Sequence, residues 1–279
     1  MAHRIAYQGI EGSYSHQAIR EAAKALGLSL EPVPRHSFRD LFDAIKDDTG
    51  LGLVPIENSI AGSVVQCYDL FLDYDATIIG EFEFKIEHCL LSNYPEEDIT
   101  TVYSHPQALS QCSDYLDARK YEKVVFSDTA GAAKHIARVQ QEGAAMVASE
   151  AAAEIYGLGV VARNIQNNGE NRTRFLLVKK AGTELSFEDQ LQPRTKSTIL
   201  FEAADIPAAL YKCLGGFATN GVNLLKIESR PSQKKNFDYI FYLDFEGTKE
   251  DEGVRNALDE LDHFSKKVVF LGSYHRLSM

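Results

Sequence analysis

The chain has 279 residues, 44% hydrophobic and 25% charged, which gives enough apolar material for one large domain or two to three smaller ones and excludes wholesale disorder. A formal net charge of -11 argues against nucleic acid as a main partner, because phosphate binding needs a basic face. A small anionic substrate held by local arginines stays open. The opening Met-Ala-His-Arg-Ile-Ala-Tyr is strand-like and has no signal-peptide pattern, and no apolar run approaches membrane-spanning length. Cys67, Cys89, Cys112 and Cys213 lie far apart and read as reduced, buried thiols, so a cytoplasmic protein without membrane contact is expected. The scattered histidines form no His-x-x-x-His pair, and no protein-built metal site is expected.

The first seventy-odd residues alternate short strands with amphipathic helices. Arg4–Tyr7 reads as a strand. Ser15 to Leu26 reads as a helix with Ala18, Ile19, Ala22, Ala23 and Leu26 on one face. Leu30–Val33 follows, then a helix from Ser37 with Phe38, Leu41, Phe42 and Ile45 inward. Leu51–Val54 and a helix over Val64 to Leu72 complete three β-α units, the pattern of a parallel, doubly wound sheet. Tyr74 to Ser92 breaks the rhythm, and the alternation over Ile78–Ile86 predicts a long strand crossing between lobes.

Three further β-α units follow: Thr101–Tyr103 with a helix from Pro106, Val124–Phe126 with one from Thr129, and Ala145–Val147 with one from Ser149. The apolar run Phe175-Leu176-Leu177-Val178 predicts a buried strand returning to the first lobe. The expected catalytic domain is therefore 1–183, with one lobe over roughly 1–78 and 160–183 and the other over 79–159. A polar, turn-rich linker is expected over 184–196. The last part, 197–279, runs Ser197–Glu202, a helix from Ala208 to Thr219, Leu224–Ser229, Tyr239–Phe245, a helix from Glu250 to Leu261, and Val268–Leu271. That βαββαβ order is the ferredoxin-like split unit.

Chemistry is expected where strands give way to loops. Gly9-Ile10-Glu11-Gly12-Ser13-Tyr14-Ser15, Pro55-Ile56-Glu57-Asn58-Ser59 and Ser104-His105-Pro106-Gln107 each carry backbone N–H groups and a helix start to a sheet edge. Asn168 to Phe175 brings Thr173 and Arg174 to the mouth of a strand, where a guanidinium is the natural fork for a carboxylate. Together these features describe a cleft for a small polyanion, most simply a dicarboxylate. Each also has a plainer reading: serines as helix caps, His105 as a satisfied turn residue, Arg174 as a solvated loop residue. Glu57-Asn58 inside an apolar turn fits a plain reading least, since carboxylates are rarely buried without a partner. The glycine loop lacks the dinucleotide spacing.

In that order, the motifs Tyr7-x-Gly9-x-x-Gly12-Ser13-x-Ser15, Val54-Pro55-Ile56-Glu57-Asn58-Ser59, Ser104-His105-Pro106-Gln107-Ala108 and Thr173-Arg174-Phe175 resemble the monofunctional prephenate dehydratases. Glu228-Ser229-Arg230-Pro231 and Leu271-Gly272-Ser273-Tyr274 resemble the ACT regulatory domain that follows in that family. The resemblance implies an α/β fold with two periplasmic-binding-protein-like lobes and an ACT domain sensing L-phenylalanine, assembled as a homodimer or homotetramer. It implies Thr173, Arg174, Glu57, Asn58 and His105 as catalytic residues, and Ser13, Ser15, Ser59, Ser104, Gln107 and Phe175 as substrate-binding residues. Phenylalanine would meet Ala208, Ala209, Leu210, Asn220, Gly221, Val222, Asn223, Leu224, Glu228, Ser229 and Arg230. The chain departs from the family at Ala208, where glycine is usual.

Prephenate loses carbon dioxide and hydroxide together as its ring becomes aromatic, so the driving force lies in the substrate and no cofactor is expected. The protein must hold the dianion, exclude water from the departing carboxylate and help hydroxide leave. Thr173 fits as a preorganised donor to the leaving oxygen, with the proton relayed from Glu57 or His105 and with Asn58 and Gln107 holding the group. Arogenate dehydration and a non-catalytic two-lobed anion sensor are the competing readings.

Overall fold

A computed structural model describes residues 2–126, 128–232 and 239–277; of the expected domains, residues 1, 127, 233–238, 278 and 279 lie outside it. Strands β1 (His3–Gln8), β2 (Leu30–Arg35) and β3 (Leu51–Asn58) alternate with helices α1 (Tyr14–Leu26) and α2 (Phe38–Asp47). Ser13 caps α1 by accepting from the His16 N–H, and left-handed Gly27 ends it. A reciprocal Ser37–Asp40 capping box starts α2, which buries Leu41, Phe42, Ala44 and Ile45. The two-residue β4 (Gly62–Ser63) folds back on β3, and α3 (Val65–Leu70) is shorter than the periodicity predicts. The crossing strand β5 (Ala76–Lys85) follows.

The next stretch contains β6 (Cys89–Ser92), β7 (Thr101–Ser104), α4 (Pro106–Gln111), α5 (Ser113–Ala118) and β8 (Glu122–Val125). It continues with α6 (Thr129–Val139), β9 (Ala144–Ala148), α7 (Glu150–Tyr156) and β10 (Gly159–Ala162). These strands form one sheet in the order β10-β6-β9-β7-β8. β7 is parallel to β8 and β9, while β6 runs antiparallel to β9 and β10. β1 likewise lies between β2 and β3 and is parallel to both. Both halves thus repeat the order 2-1-3, which presents strand ends and helix starts at a common edge.

After β11 (Arg172–Lys180) come β12 (Lys196–Ala203), α8 (Ala209–Thr219), β13 (Leu224–Pro231), β14 (Tyr239–Glu246), α9 (Glu252–Phe264) and β15 (Ser265–Leu277). The sheet order β13-β14-β12-β15, antiparallel at every step, is the ferredoxin-like arrangement. Cys213 and Phe217 of α8 and Val254, Ala257 and Leu261 of α9 pack with Ile199, Phe201, Leu243 and Phe245 of the sheet.

Two compact units result. One holds the residues up to Val64 together with Glu83–Phe175; the other holds Val65–Phe82 and the chain from Leu176 onward. In the second unit β15 runs well past the expected Leu271 and pairs in parallel with β5, His275 opposite Gly80. Gly272 permits this approach: at φ +148, a Cβ there would stand 2.2 Å from the Ile78 carbonyl oxygen. The segment expected as a polar linker buries Phe187 and Leu191, and its last residue, Lys196, already belongs to β12. Lys196 Nζ, itself buried, contacts Glu81 at 2.8 Å and Asp244 at 3.3 Å.

Candidate active site

The sequence pairs Glu57 with Asn58 and Thr173 with Arg174, and strand geometry separates each pair. β3 and β11 are neighbours, held at their ends by the Ser59 N–H donating to the Arg172 carbonyl at 2.8 Å. Side chains alternate across a strand, so consecutive residues face opposite ways. On one face Asn58 Nδ2 donates to Thr173 Oγ1 at 3.0 Å. On the other, Arg174 Nη1 donates to Glu57 Oε2 at 3.3 Å.

The Asn58–Thr173 face opens on a cavity of about 260 Å³, lined among others by Tyr14, Ser15, His88, His105, Gln107 and Gln111, with Pro55, Val64, Ile86 and Phe175 as its apolar wall. The start of α1 reaches it through Tyr14 and Ser15, with no acidic residue in that first turn to offset the dipole. Asp128 and Thr129 bring the start of α6. A larger groove of about 470 Å³, lined by Arg20, Glu21, Glu83, Lys85, Glu87 and Arg172, has both signs of charge and none of the expected site residues. The smaller cavity is the one that gathers the motifs.

Thr173 has a defined polarity. Asn58 Oδ1 accepts the backbone N–H groups of Ile60 at 3.1 Å and Ala61 at 2.9 Å, which turns the amide nitrogen toward Thr173. Thr173 Oγ1 therefore accepts from Asn58, and its own proton has no acceptor among the described residues. His105 caps α4, with Nδ1 accepting from the Gln107 N–H at 3.2 Å. Its neutral ring consequently carries the proton on Nε2.

Other expected residues play different parts. Arg174 is not among the residues lining the cavity; alternation along β11 turns it to the other face, where it pairs with Glu57. Glu57, expected as a proton relay, is turned away with it. Ser104 is 0% exposed, does not line the cavity and donates to the Val147 carbonyl at 2.6 Å. Ser13 is the α1 cap. Ser59 bridges the loop to β11, donating to the Glu170 carbonyl and accepting the Arg172 N–H. Ser15, Gln107 and Phe175 do line the cavity.

Sequence reasoning passed over Tyr14, His88, Gln111 and Asn171 as participants. His88 is buried; its Nδ1 is 2.6 Å from Tyr14 Oη and its Nε2 2.9 Å from Gln111 Oε1. Burial lowers its pKa, against the raising effect of the Gln111 contact. Burial also pushes the Tyr14 phenol well above its ordinary value. A histidine set just before the apolar run Cys89-Leu90-Leu91 was the available signal. Among the described residues no group of three or more His, Cys, Asp or Glu side chains converges as metal ligands would.

In the second unit, Ala208 is the residue before α8 and sits in the left-handed region at φ +59. Ala209 and Leu210 open the helix. Gly221, at φ +70, follows the helix end as a C-cap requires. Asn220 is committed to that cap, donating to the Gly216 carbonyl and to Glu260 Oε1, both at 2.8 Å. Arg230 forks onto Asp69 through two 3.0 Å bonds. Val222 packs against the core, Asn223 leads into β13, and β13 carries Leu224, Glu228 and Ser229.

The family model described as prephenate dehydratase matches residues 5–183. An Arabidopsis thaliana protein described as arogenate dehydratase/prephenate dehydratase 2, chloroplastic, is 41% identical over 287 residues, covering 97% of this chain and 72% of its own length. A structure described as GqqA, a novel type of quorum quenching acylase, has a TM-score of 0.88 at 33% identity, covering 99% of this chain and 98% of that one. The prephenate dehydratase of Arthrobacter aurescens in complex with L-Phe has a TM-score of 0.85 at 28% identity, covering 98% of this chain and 90% of that one. The chain belongs to the prephenate dehydratase family.

Proposed function

We propose that the cavity walled by Thr173, Asn58, His105 and Phe175 is the site at which this lyase decarboxylates and dehydrates prephenate to phenylpyruvate. The observation that carries the reading is the polarity of Thr173, whose oxygen is engaged by Asn58 and whose proton is left to donate. As the ring carboxylate departs and the ring becomes aromatic, hydroxide leaves from the opposite carbon. A donor aimed at that oxygen stabilises charge that develops only in the transition state. The apolar wall of Pro55, Val64, Ile86 and Phe175 keeps water from the departing carboxylate.

His105 rather than Glu57 is placed at the leaving hydroxide, because His105 lines the cavity with its Nε2–H free of the cap; the neutral ring assists departure by donating a hydrogen bond, and the proton that the hydroxide consumes comes from solvent. Arg174 and Glu57 are read as a pair bracing β3 against β11 from behind. Acyl transfer, the activity named for one structural neighbour, needs a base accepting the nucleophile's proton; Thr173 meets none among the described side chains.

Prephenate is taken as the substrate; Asp128, which lines the cavity and caps α6 through the Gly131 N–H, is the side chain that could receive the ammonium of arogenate. Arogenate remains the alternative. Comparing turnover of the two substrates, read as appearance of phenylpyruvate or phenylalanine, tests the assignment; loss of neither substrate would overturn the reading of the cavity.

The ferredoxin-like part is read as an ACT domain that binds L-phenylalanine near Ala208, Gly221 and Asn223 and lowers activity. The edge strand β13 and its surroundings expose Leu224, Leu225, Ile227 and Tyr239, which supports a homodimer or homotetramer joined there. Four free, buried cysteines support a reducing, cytoplasmic setting. No helix among the described residues is long and apolar enough to cross a membrane.

A further inference from the structure

The larger groove, of about 470 Å³, shares its walls with the active cavity but not its side chains. Arg172 and Thr173 are neighbours on β11, and Lys85 and Ile86 are neighbours at the end of β5; in each pair the first lines the groove and the second the cavity. From α1 come Gln17, Arg20 and Glu21, which share a helix face.

The charges of the groove sort into two sets. Glu21 is paired with Lys24 at 2.5 Å and Glu87 with Lys85 at 2.7 Å. The side chains of Arg20, Arg172 and Glu83 make no hydrogen bond or ion pair among the described residues. Gln17 adds an Nε2 that is buried and has no hydrogen-bond partner there. Solvation accounts for an exposed arginine such as Arg20 taken alone. It does not account for a buried amide with nothing to donate to, nor for the partly buried Arg172.

The unpaired groups are thus two guanidiniums, one carboxylate and one N–H donor. Their complement is a molecule with two carboxylates and one ammonium on a short apolar stem, and Phe84 and Ala151 give the stem a wall. A plain dicarboxylate would set its charge against Glu83 with nothing to offset it. An amino acid with a single carboxylate would leave one guanidinium unanswered. We propose that this groove is a second binding site, and that it takes an acidic amino acid: Arg20 and Arg172 each hold a carboxylate, Gln17 Nε2 donates to one of them, and Glu83 receives the ammonium. The site stands apart from the reading of the active cavity.

Titration calorimetry of the full chain with L-glutamate tests it. One site with a Kd of about 1 mM or tighter is expected. Arg20→Gln and Arg172→Gln should each weaken binding about tenfold or more, since each removes a charge-assisted pair. Prephenate turnover by both variants should stay within about threefold of the parent, which shows that they fold and separates the groove from the active cavity. Glutarate, the same chain without the ammonium, should bind more weakly than L-glutamate, and Glu83→Gln should abolish that preference. Absence of binding up to about 20 mM L-glutamate overturns the proposal. So does binding that neither arginine substitution weakens, or an equal affinity for glutarate. Should Arg172→Gln not fold, Arg20→Gln decides, because Arg20 is an exposed helix residue whose loss leaves the core untouched.

Discussion

Replacing Thr173 by valine removes one hydroxyl and keeps the shape of the side chain. The structure sets the two sides of the expected outcome. Asn58 Nδ2 has two protons but three acceptors: Asn171 Oδ1 at 2.8 Å, Thr173 Oγ1 at 3.0 Å and the Arg172 carbonyl at 3.1 Å. Losing Thr173 as an acceptor still leaves both protons paired, so no buried donor is stranded, and stability should change by less than about 1 kcal/mol. The donor aimed at the leaving hydroxide is lost outright. Removing one such preorganised donor typically costs about 3–4 kcal/mol of transition-state stabilisation, or roughly a hundred- to a thousandfold in kcat. KM should move little, and Thr173→Ser should keep a substantial part of the rate. The assay is initial-rate formation of phenylpyruvate by its ultraviolet absorbance, with urea unfolding of each variant alongside. A valine variant with kcat within fivefold of the parent would refute the donor role. A large stability loss would instead show that the hydroxyl is a structural bond.

Other expectations follow from the same geometry. His105→Asn should lower kcat more than Glu57→Gln, since only the histidine lines the cavity; the reverse order in the phenylpyruvate assay would return the role to Glu57. Lys196→Met leaves the buried Glu81 and Asp244 without their shared cation and should cost about 3–5 kcal/mol in urea unfolding, part of it recovered by adding Glu81→Leu. Burial holds His88 below its ordinary 6.5, so the unfolded chain takes up its proton first as pH falls. The stability this provides is complete above about pH 6.5 and is lost progressively below it, and His88→Leu should flatten that part of the unfolding profile. Ala208→Gly relieves a left-handed alanine, a strain of about 1–2 kcal/mol partly offset by the freer unfolded chain. If the methyl also crowds phenylalanine, titration calorimetry should find tighter binding in the glycine variant; equal affinity would remove the crowding argument.

Much of this protein is legible without coordinates. Apolar periodicity finds the strand and helix order of both halves, because burying one face at a period of two or 3.6 is a local requirement. Caps are equally local: Ser13, Ser37 and Ser149 begin helices and Gly27 and Gly221 end them as their side chains or the lack of one dictate. The motifs that carry the family resemblance are contiguous, so the kind of chemistry is readable as well. What stays hidden depends on partners distant in the chain. That Asn58 and Thr173 share the cavity while Glu57 and Arg174 turn away follows from which strand lies beside β3, a fact of pairing rather than composition. That β15 pairs with β5 is also a fact of pairing, and a glycine at position 272 is what lets the backbones meet. Tyr14, His88, Gln111 and Asn171 form one network only after the chain has folded, since hydrogen-bond direction is decided by what each polar atom faces once water has been excluded.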